Sequence, residues 1–284
     1  MAGNEDGKSK SALSKAFADG WVGGSSGAAA MGVQVCSLMW MRTIMNYQYR
    51  HGSSTTEATR ILWREGKIRR FYRGVGPALL QGPLARFGDT AANSAVLSYF
   101  ENSDMPLPVK TGMASLTSAS WRICIMPIDA MKTTLQAEGS KARSLLMAKV
   151  SSKGPGVMWH GAGAAATATA VGHFPWFYTF NLLQEVLPTY QGTGSNLVRN
   201  AFIGFTASVV SDTISNSLRV IKTVRQTYYE PISYTKAVQL VLAKDGKKGL
   251  LGRGLKTRIM ANGMQGLIFS VLWKYIQDVR QERN

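Results

Sequence analysis

The sequence has few cysteines, histidines and acidic residues. It contains 2 cysteines, Cys36 and Cys124, and 3 histidines among 284 residues. The cysteines form no CxxC pair, so they are interpreted as small apolar helix residues rather than as a disulfide or a metal site. The sequence also has no Ser/His/acid set, no metal-spaced cluster and no phosphate-binding loop. We therefore predict no enzyme, no metal and no cofactor.

Long apolar stretches are missing as well. No stretch reaches the roughly 18 uninterrupted apolar residues of a simple membrane-spanning helix. Charged residues are nevertheless only 17% of the chain, which carries 29 Gly, 13 Met and 7 Trp, a composition typical of membrane proteins. The two observations agree if each helix faces lipid on one side and a polar cavity on the other.

Basic residues outnumber acidic ones, 33 to 16, for a net charge of +17. They do not cluster with aromatic stacking platforms, so nucleic acid is not expected as a partner. Many lie between predicted spans, where they are either solvated or in contact with an anionic, cardiolipin-like lipid at helix ends. These are Arg60, Arg64, Lys67, Arg69, Arg70, Lys141, Arg143, Lys149, Lys153, Lys244, Lys247 and Lys248. The first 18 residues have neither the apolar core of a secretory signal nor the arginines of a transit peptide.

A repeat of 90 residues organises the chain. Arg42, Lys132 and Lys222 stand at this spacing, each within a similar short sequence motif, or word. Each motif is followed first by a charged residue next to glycine and then by a basic residue next to glycine. The second and third landmarks are Glu65-Gly66, Lys153-Gly154 and Asp245-Gly246, then Arg73-Gly74, His160-Gly161 and Arg253-Gly254. Such a period indicates one supersecondary unit used three times. We predict a tail at 1–16 and repeats at 17–106, 107–194 and 195–284.

Each repeat is predicted to contain two spans and a short amphipathic helix. The six spans are 17–48, 75–103, 109–137, 161–187, 197–227 and 255–281, so the predicted fold is an all-α membrane protein with pseudo-threefold symmetry. Surface helices are expected near 54–65, 141–151 and 234–244, the first opening with a capping box at Ser54 and Glu57. Pro127 should kink its helix, whereas the serines at the matching positions 37 and 217 should bend theirs less sharply.

In this arrangement the chain resembles the mitochondrial carrier family over residues 17–281. The match is best at Pro127-Ile-Asp129-Ala-Met-Lys132, Gln136 and Phe71-Tyr72-Arg73-Gly74, and it is degenerate in repeats 1 and 3. The resemblance implies a location in the mitochondrial inner membrane and a matrix-side gate of salt bridges, each between the acid of one repeat and the base of the next. The six ring positions would be Met39, Arg42, Asp129, Lys132, Arg219 and Lys222.

The ring positions carry four cations and one carboxylate, so only one bridge can form, and surplus cations should repel unless an anion, lipid or water lies between them. The resemblance adds Asn46, Gln136 and Gln226 to this matrix-side gate. On the cytoplasmic side no acid remains at the expected positions, and Gln184, Lys274 and Gln277 are the candidates for a weak gate. Gaps in the even-numbered spans would make Phe100-Glu101 the alternative in repeat 1.

The candidate solute site lies between the two gates. By helix periodicity Arg122 and Asp212 should face the threefold axis at similar depth, where they either pair with each other or bind a solute. The resemblance adds Gln81, Gly82, Thr169 and Asn262 from the even-numbered spans. Arg86, His173 and Arg258 are ionisable neighbours; His173 is either packed or a ligand, and the arginines either reach the headgroups or bind solute.

Two functions fit these features. One is transport of a small anionic or zwitterionic metabolite, of carboxylate or amino-acid type, by alternating access. The other is a carrier-fold accessory subunit of a larger, respiratory-type inner-membrane complex, in which the fold persists while the gate chemistry decays. The missing acids favour the second function; the retained amide positions and the Arg122 and Asp212 charges favour the first.

Overall fold

The computed structural model describes residues 31–100, 104–189 and 193–267. This part of the chain is all-α, with no strand. Its helices are α1 (31–51), α2 (Thr55–Phe71), α3 (Val75–Tyr99), α4 (Leu107–Cys124), α5 (Met126–Glu138), α6 (Ala142–Lys153), α7 (Ala162–Val186), α8 (Thr193–Thr227), α9 (Tyr234–Gly252) and α10 (255–267). Short 3₁₀ turns at Gly139–Lys141 and Pro155–Trp159 flank α6.

The predicted spans coincide with helices wherever the structure describes them. α1, α3, the α4–α5 pair, α7, α8 and α10 occupy the six predicted positions, while the outer parts of the first and last spans, 17–30 and 268–281, lie outside the described residues. Within the described ranges, no helix combines the length and the apolar character needed to cross a membrane. The all-α class is thus confirmed.

At Pro127, where a kink was predicted, the structure has a full break between α4 and α5. α4 ends at Cys124 and α5 begins at Met126, whereas α1 and α8 continue through the matching serines. Proline has no backbone N–H, so the carbonyl four residues earlier, that of Ile123, loses its helical partner. The indole Nε1 of Trp159 donates a hydrogen bond to this oxygen at 3.0 Å. The break is therefore satisfied by a side chain from the turn before α7.

The three surface helices, α2, α6 and α9, lie where the repeat predicts them. Ser54 caps α2 and forms the predicted capping box with Glu57, and Ser233 caps α9 in a similar way through the backbone N–H of Lys236. α2 bends at Gly66 and α9 bends at Gly246, so both change direction at the glycine of the second landmark. Each therefore consists of two helical segments joined at that glycine.

The longer helices pack in sequence into a closed ring. α3 contacts α4, α4 contacts α7, and α7 contacts α8. α8 reaches α10 through Phe205 and Gly263, and α10 packs on α1 in a cluster containing Leu38 and Ala261. α1 returns to α3 through Val35 and its neighbours. A space lined by all three repeats is enclosed as a result.

In each repeat, the glycine that follows the basic residue of the last motif lies in close contact with the neighbouring repeat. Gly74, Gly161 and Gly254 have φ of 86°, 95° and 66°, a region that glycine adopts without strain. A β-carbon at Gly74 would lie 3.1 Å from the Lys132 carbonyl oxygen, and one at Gly161 would lie 3.3 Å from that of Lys222. At Gly254 the corresponding distance, to Met45, is 3.2 Å. The repeated word therefore docks each repeat onto the long helix of the next.

Gly74→Ala is expected to lower the free energy of unfolding by about 2–3 kcal/mol, through the positive φ and the approach to the Lys132 carbonyl together. Gly154→Ala is the matched control, because Gly154 also has a positive φ, 77°, yet a β-carbon there meets nothing within 4 Å. With φ 77° and ψ 175° Gly154 lies in a region that favours glycine, so its replacement should cost about 1–2 kcal/mol of backbone strain without any docking contact, less than the loss at Gly74. Chemical or thermal unfolding of the two variants measures the difference, and equal losses would contradict the docking role.

Candidate functional site

A polar cavity of about 360 Å³ lies between the three repeats. Six predicted solute-site residues line it, namely Gln81, Gly82, Arg122, Thr169, Arg258 and Asn262. It is also lined by seven predicted gate residues, namely Arg42, Asn46, Asp129, Lys132, Gln136, Arg219 and Lys222. The periodicity and the resemblance together therefore selected residues that the fold brings to one place.

Asp129 is the centre of the gate contacts. Its Oδ2 lies 2.6 Å from Lys222 Nζ, which joins repeat 2 to repeat 3, and its Oδ1 lies 3.1 Å from Lys132 Nζ in its own helix. Lys132 also donates to Gln81 Oε1 at 2.9 Å. The one ring bridge that the sequence allows is thus present, and Lys132 compensates for the missing acid at Met39 with these two oxygens.

The amide residues reinforce this ring. Gln226 Nε2 donates to Asp129 Oδ2 at 3.3 Å, and Gln136 Nε2 donates to the sulfur of Met39 at 3.3 Å. These are equivalent contacts, since each glutamine reaches the acid position of the preceding repeat. Asn46 differs: its Nδ2 donates to Gln136 Oε1 at 2.5 Å. Two of the three amides therefore make equivalent contacts in successive repeats.

A second charged cluster surrounds Asp212. Its Oδ1 lies 2.7 Å from Arg258 Nε and 3.8 Å from Arg219 Nη2, and its Oδ2 accepts a short hydrogen bond from Asn262. From the sequence, Arg122 was a possible partner of Asp212. The contacts described here come instead from Arg219 on α8 and from Arg258 and Asn262 on α10. Two arginines share one carboxylate here.

Arg42 completes the set of cations at the cavity. It is half-buried on α1 and lines the cavity, and among the described residues it has no ion-pair or hydrogen-bond partner. Six basic side chains thus face this region, against the two carboxylates Asp129 and Asp212. The excess of positive charge suits an anionic ligand.

The remaining predicted site residues lie elsewhere. His173 sits against Ser115, with Nδ1 to Oγ at 3.1 Å, and does not line the cavity, so the packed interpretation fits its position. Gln184 lies near the end of α7, where its Oε1 accepts from Arg199 Nη1 at 2.6 Å. The side chain of Arg86, together with Lys274 and Gln277, lies outside the described residues. Among those that are described, no three His, Cys, Asp or Glu side chains are grouped as metal ligands.

The sequence did not identify three basic side chains that cap the long helices. Arg70 donates to the carbonyls of Gln136 and Ala137 at the end of α5, at 2.9 and 3.1 Å. Lys149 Nζ donates to the Gln226 carbonyl of α8 at 3.0 Å, and Arg253 Nη1 donates to the Tyr49 carbonyl of α1 at 3.3 Å. Cations stabilise helix C-termini by satisfying the last carbonyls and the helix dipole.

These caps run in one direction around the molecule, since each repeat caps the long helix of the next. Arg70 pairs with Glu65, and Arg253 pairs with Asp245. The sequence singled out Arg73 as the basic residue of the first word, yet Arg70, three positions earlier, makes the capping contacts. The only indication of this capping role in the sequence was that Arg70 is basic and lies about one helical turn before Arg73.

Lys149 is buried on α6, in a surface segment. Burial, together with the nearby positive charge of Arg50, lowers the pKa of Lys149 from 10.5 to about 8, and Glu138 opposes the shift. Because the unfolded chain then binds more protons between pH 8 and 10.5, the free energy of unfolding rises with pH across that window.

Lys149→Met is expected to remove this pH dependence. In the unsubstituted chain the contribution of Lys149 should increase by up to about 3 kcal/mol between pH 7.5 and 10.5, whereas the variant should lack that increase. Lys153→Met, at an exposed position of the same helix, should retain it. Unfolding midpoints at a series of pH values test this, and a parallel rise in all three proteins would show that Lys149 is not responsible.

Comparison with known proteins adds no further assignment. No protein-family model matches the chain, and no curated protein matches it. The likeness to mitochondrial carriers therefore depends on the repeated words quoted above.

Proposed function

We propose that the chain is a six-helix membrane protein of the carrier type that moves a small anionic metabolite across the mitochondrial inner membrane by alternating access. The observation that carries the proposal is the cavity between three repeats, with its excess of basic side chains. The mitochondrial location is proposed from the resemblance to the carrier family.

The distribution of polar and apolar side chains supports a membrane setting. Charged and amide residues such as Asp129, Gln136 and Asp212 are buried, whereas large apolar side chains face outward on the long helices. Phe174 is 76% exposed, Val198 70% and Leu116 65%. Water-soluble proteins rarely expose contiguous apolar surface without a partner for it, and lipid is the partner that this arrangement suits.

The charges favour an anion over a zwitterion. A zwitterionic solute needs a carboxylate for its ammonium group, and both carboxylates described here, Asp129 and Asp212, already contact basic side chains. Arg42 has no such partner in the described part of the chain, and Arg122 lines the same space. Guanidinium groups match carboxylates in a bidentate geometry. A small carboxylate is therefore the proposed substrate class.

The single ring bridge is compatible with alternating access. A substrate shifts a conformational equilibrium only by its difference in affinity between the two states. A gate held by Asp129, Lys222 and amide contacts needs a smaller difference than a gate of three bridges would. A weakly binding metabolite could then open it.

Uptake into liposomes tests the proposal. The full-length protein should import radiolabelled di- or tricarboxylates above protein-free vesicles. Arg122→Ala should lower uptake at least tenfold, the effect of losing a charge-assisted contact. Arg143→Ala, at an exposed position on α6, is the matched control and should transport normally. Uptake that Arg122→Ala leaves unchanged would remove Arg122 from the binding site.

The degenerate ring supports an alternative function, that of a carrier-fold accessory subunit in a larger inner-membrane complex. Met39 and Arg219 stand where two further acids would complete the ring, as expected after selection for gating has ceased. Stable co-purification with a large complex, together with uptake no greater than that of empty vesicles, would favour this alternative over transport.

A further inference from the structure

We infer that a small oxyanion binds between Arg42, Arg219 and Arg258 and takes the place of a missing carboxylate in the contact between repeats 3 and 1. The inference rests on the proposed anion selectivity of the cavity but does not require translocation. The ligand is a carboxylate or phosphate group that stays bound as part of the closed structure.

The 90-residue period defines which contact is missing. Asp129 of repeat 2 bonds Lys222 of repeat 3 at 2.6 Å. The equivalent residues one repeat further on are Arg219 of repeat 3 and Arg42 of repeat 1. Two guanidinium groups therefore stand where the threefold arrangement places a carboxylate and a cation.

The local charges leave this place positive. Arg42 lies within electrostatic range of Arg258, and so does Arg219. The carboxylate described there, that of Asp212, is 2.7 Å from Arg258 but 3.8 Å from Arg219. Arg42 has no partner within the described ranges. All three guanidinium groups line the cavity, and two of them share the one carboxylate, so a second negative charge would balance the third.

The third ring contact, between repeats 1 and 2, needs no such ligand. There Met39 replaces the acid, and Lys132 instead contacts Asp129 at 3.1 Å and Gln81 at 2.9 Å. Within residues 31–100, 104–189 and 193–267, oxygen atoms thus contact Lys132 and none contacts Arg42. One oxyanion site is expected, on the side of the cavity where α1, α8 and α10 meet.

An oxyanion fits the donors better than a halide does. Guanidinium groups present planar pairs of N–H donors that match two oxygens of one carboxylate or phosphate. Arg42, Arg219 and Arg258 all line the cavity of about 360 Å³. Arg122, the proposed solute contact, lines the same cavity.

Thermal unfolding of the full-length protein in detergent tests the inference, with sodium malonate, sodium phosphate or sodium chloride added at constant ionic strength. Malonate or phosphate should raise the midpoint saturably, by about 5 °C at a hundredfold excess over Kd. The relative response to malonate and phosphate distinguishes a carboxylate from a phosphate ligand. No response to either, or an equal response to chloride, would overturn the inference.

Two variants localise the effect. Arg42→Met should abolish the malonate or phosphate response, whereas Arg143→Met should retain it. Arg219→Glu supplies the missing carboxylate from the chain itself, so it should raise the midpoint without added anion and remove the response. An undiminished response in either ring variant would refute the site. Liposome uptake separates the two proposals: a midpoint shift without uptake supports the oxyanion site and rejects transport, and uptake without a shift does the reverse.

Discussion

Asp129→Asn is expected to lower the free energy of unfolding by about 3–5 kcal/mol, because it leaves the half-buried Lys132 and Lys222 without their shared, buried carboxylate. Both ammonium groups contact this one side chain, at 3.1 and 2.6 Å. Asparagine keeps the size of the side chain and can still accept a hydrogen bond from Gln226. The loss of stability therefore reports the missing negative charge rather than a change in packing. Urea or thermal unfolding in detergent measures this loss.

A second substitution checks the cause. Lys222→Met in the Asp129→Asn background removes one of the two unpaired cations, so the double variant should recover at least half of the loss. Additive losses in the double variant would mean that repulsion between Lys132 and Lys222 is not what destabilises the single variant.

Arg70→Met should cost about 3 kcal/mol, the second largest effect expected from a single substitution. Arg70 is 2% exposed and donates to two main-chain oxygens at the end of α5 and to Glu65. Methionine fills much of the same volume but donates no hydrogen bond. The buried carbonyls of Gln136 and Ala137 would then be unsatisfied, at about 1–3 kcal/mol for each group.

Arg73→Met is the matched control for Arg70. Arg73 belongs to the repeated word, is also basic and is half-buried, but it makes none of the capping contacts of Arg70. Its replacement should change the free energy of unfolding by less than about 1 kcal/mol. A larger loss at Arg73 than at Arg70 would reverse the assignment, and unfolding of the two variants side by side decides between them.

The contrast between these arginines illustrates what the sequence could predict. A fixed period gives the equivalent positions of long helices, because a helix has constant rise and rotation for each residue. The pairing of Asp129 with Lys222 came instead from the resemblance to carriers, and the structure contains that contact. Pro127 lies where a kink was predicted. The cap from Arg70 escaped prediction because a long flexible side chain reaches its target from either of two successive turns.

The cluster at Asp212 was less predictable for a different reason. Arg122 and Asp212 were compared through the odd-numbered spans alone, where the period is strict. Arg258 and Asn262 lie on the last even-numbered span, and their reach toward α8 depends on how α10 packs against it. Periodicity places a residue on a face but does not fix the distance between neighbouring helices.

The cap that Arg253 places on α1 has a consequence for the order of folding. It joins residues 204 positions apart, and the hydroxyl of Thr257 similarly donates to Gln48 across 209 positions. During synthesis, the C-terminal end of α1 therefore lacks these two contacts until residues 253 and 257 have been made. A truncated product ending before residue 253 would leave this seam open, so nascent chains of that length should be more susceptible to proteolysis than the finished protein.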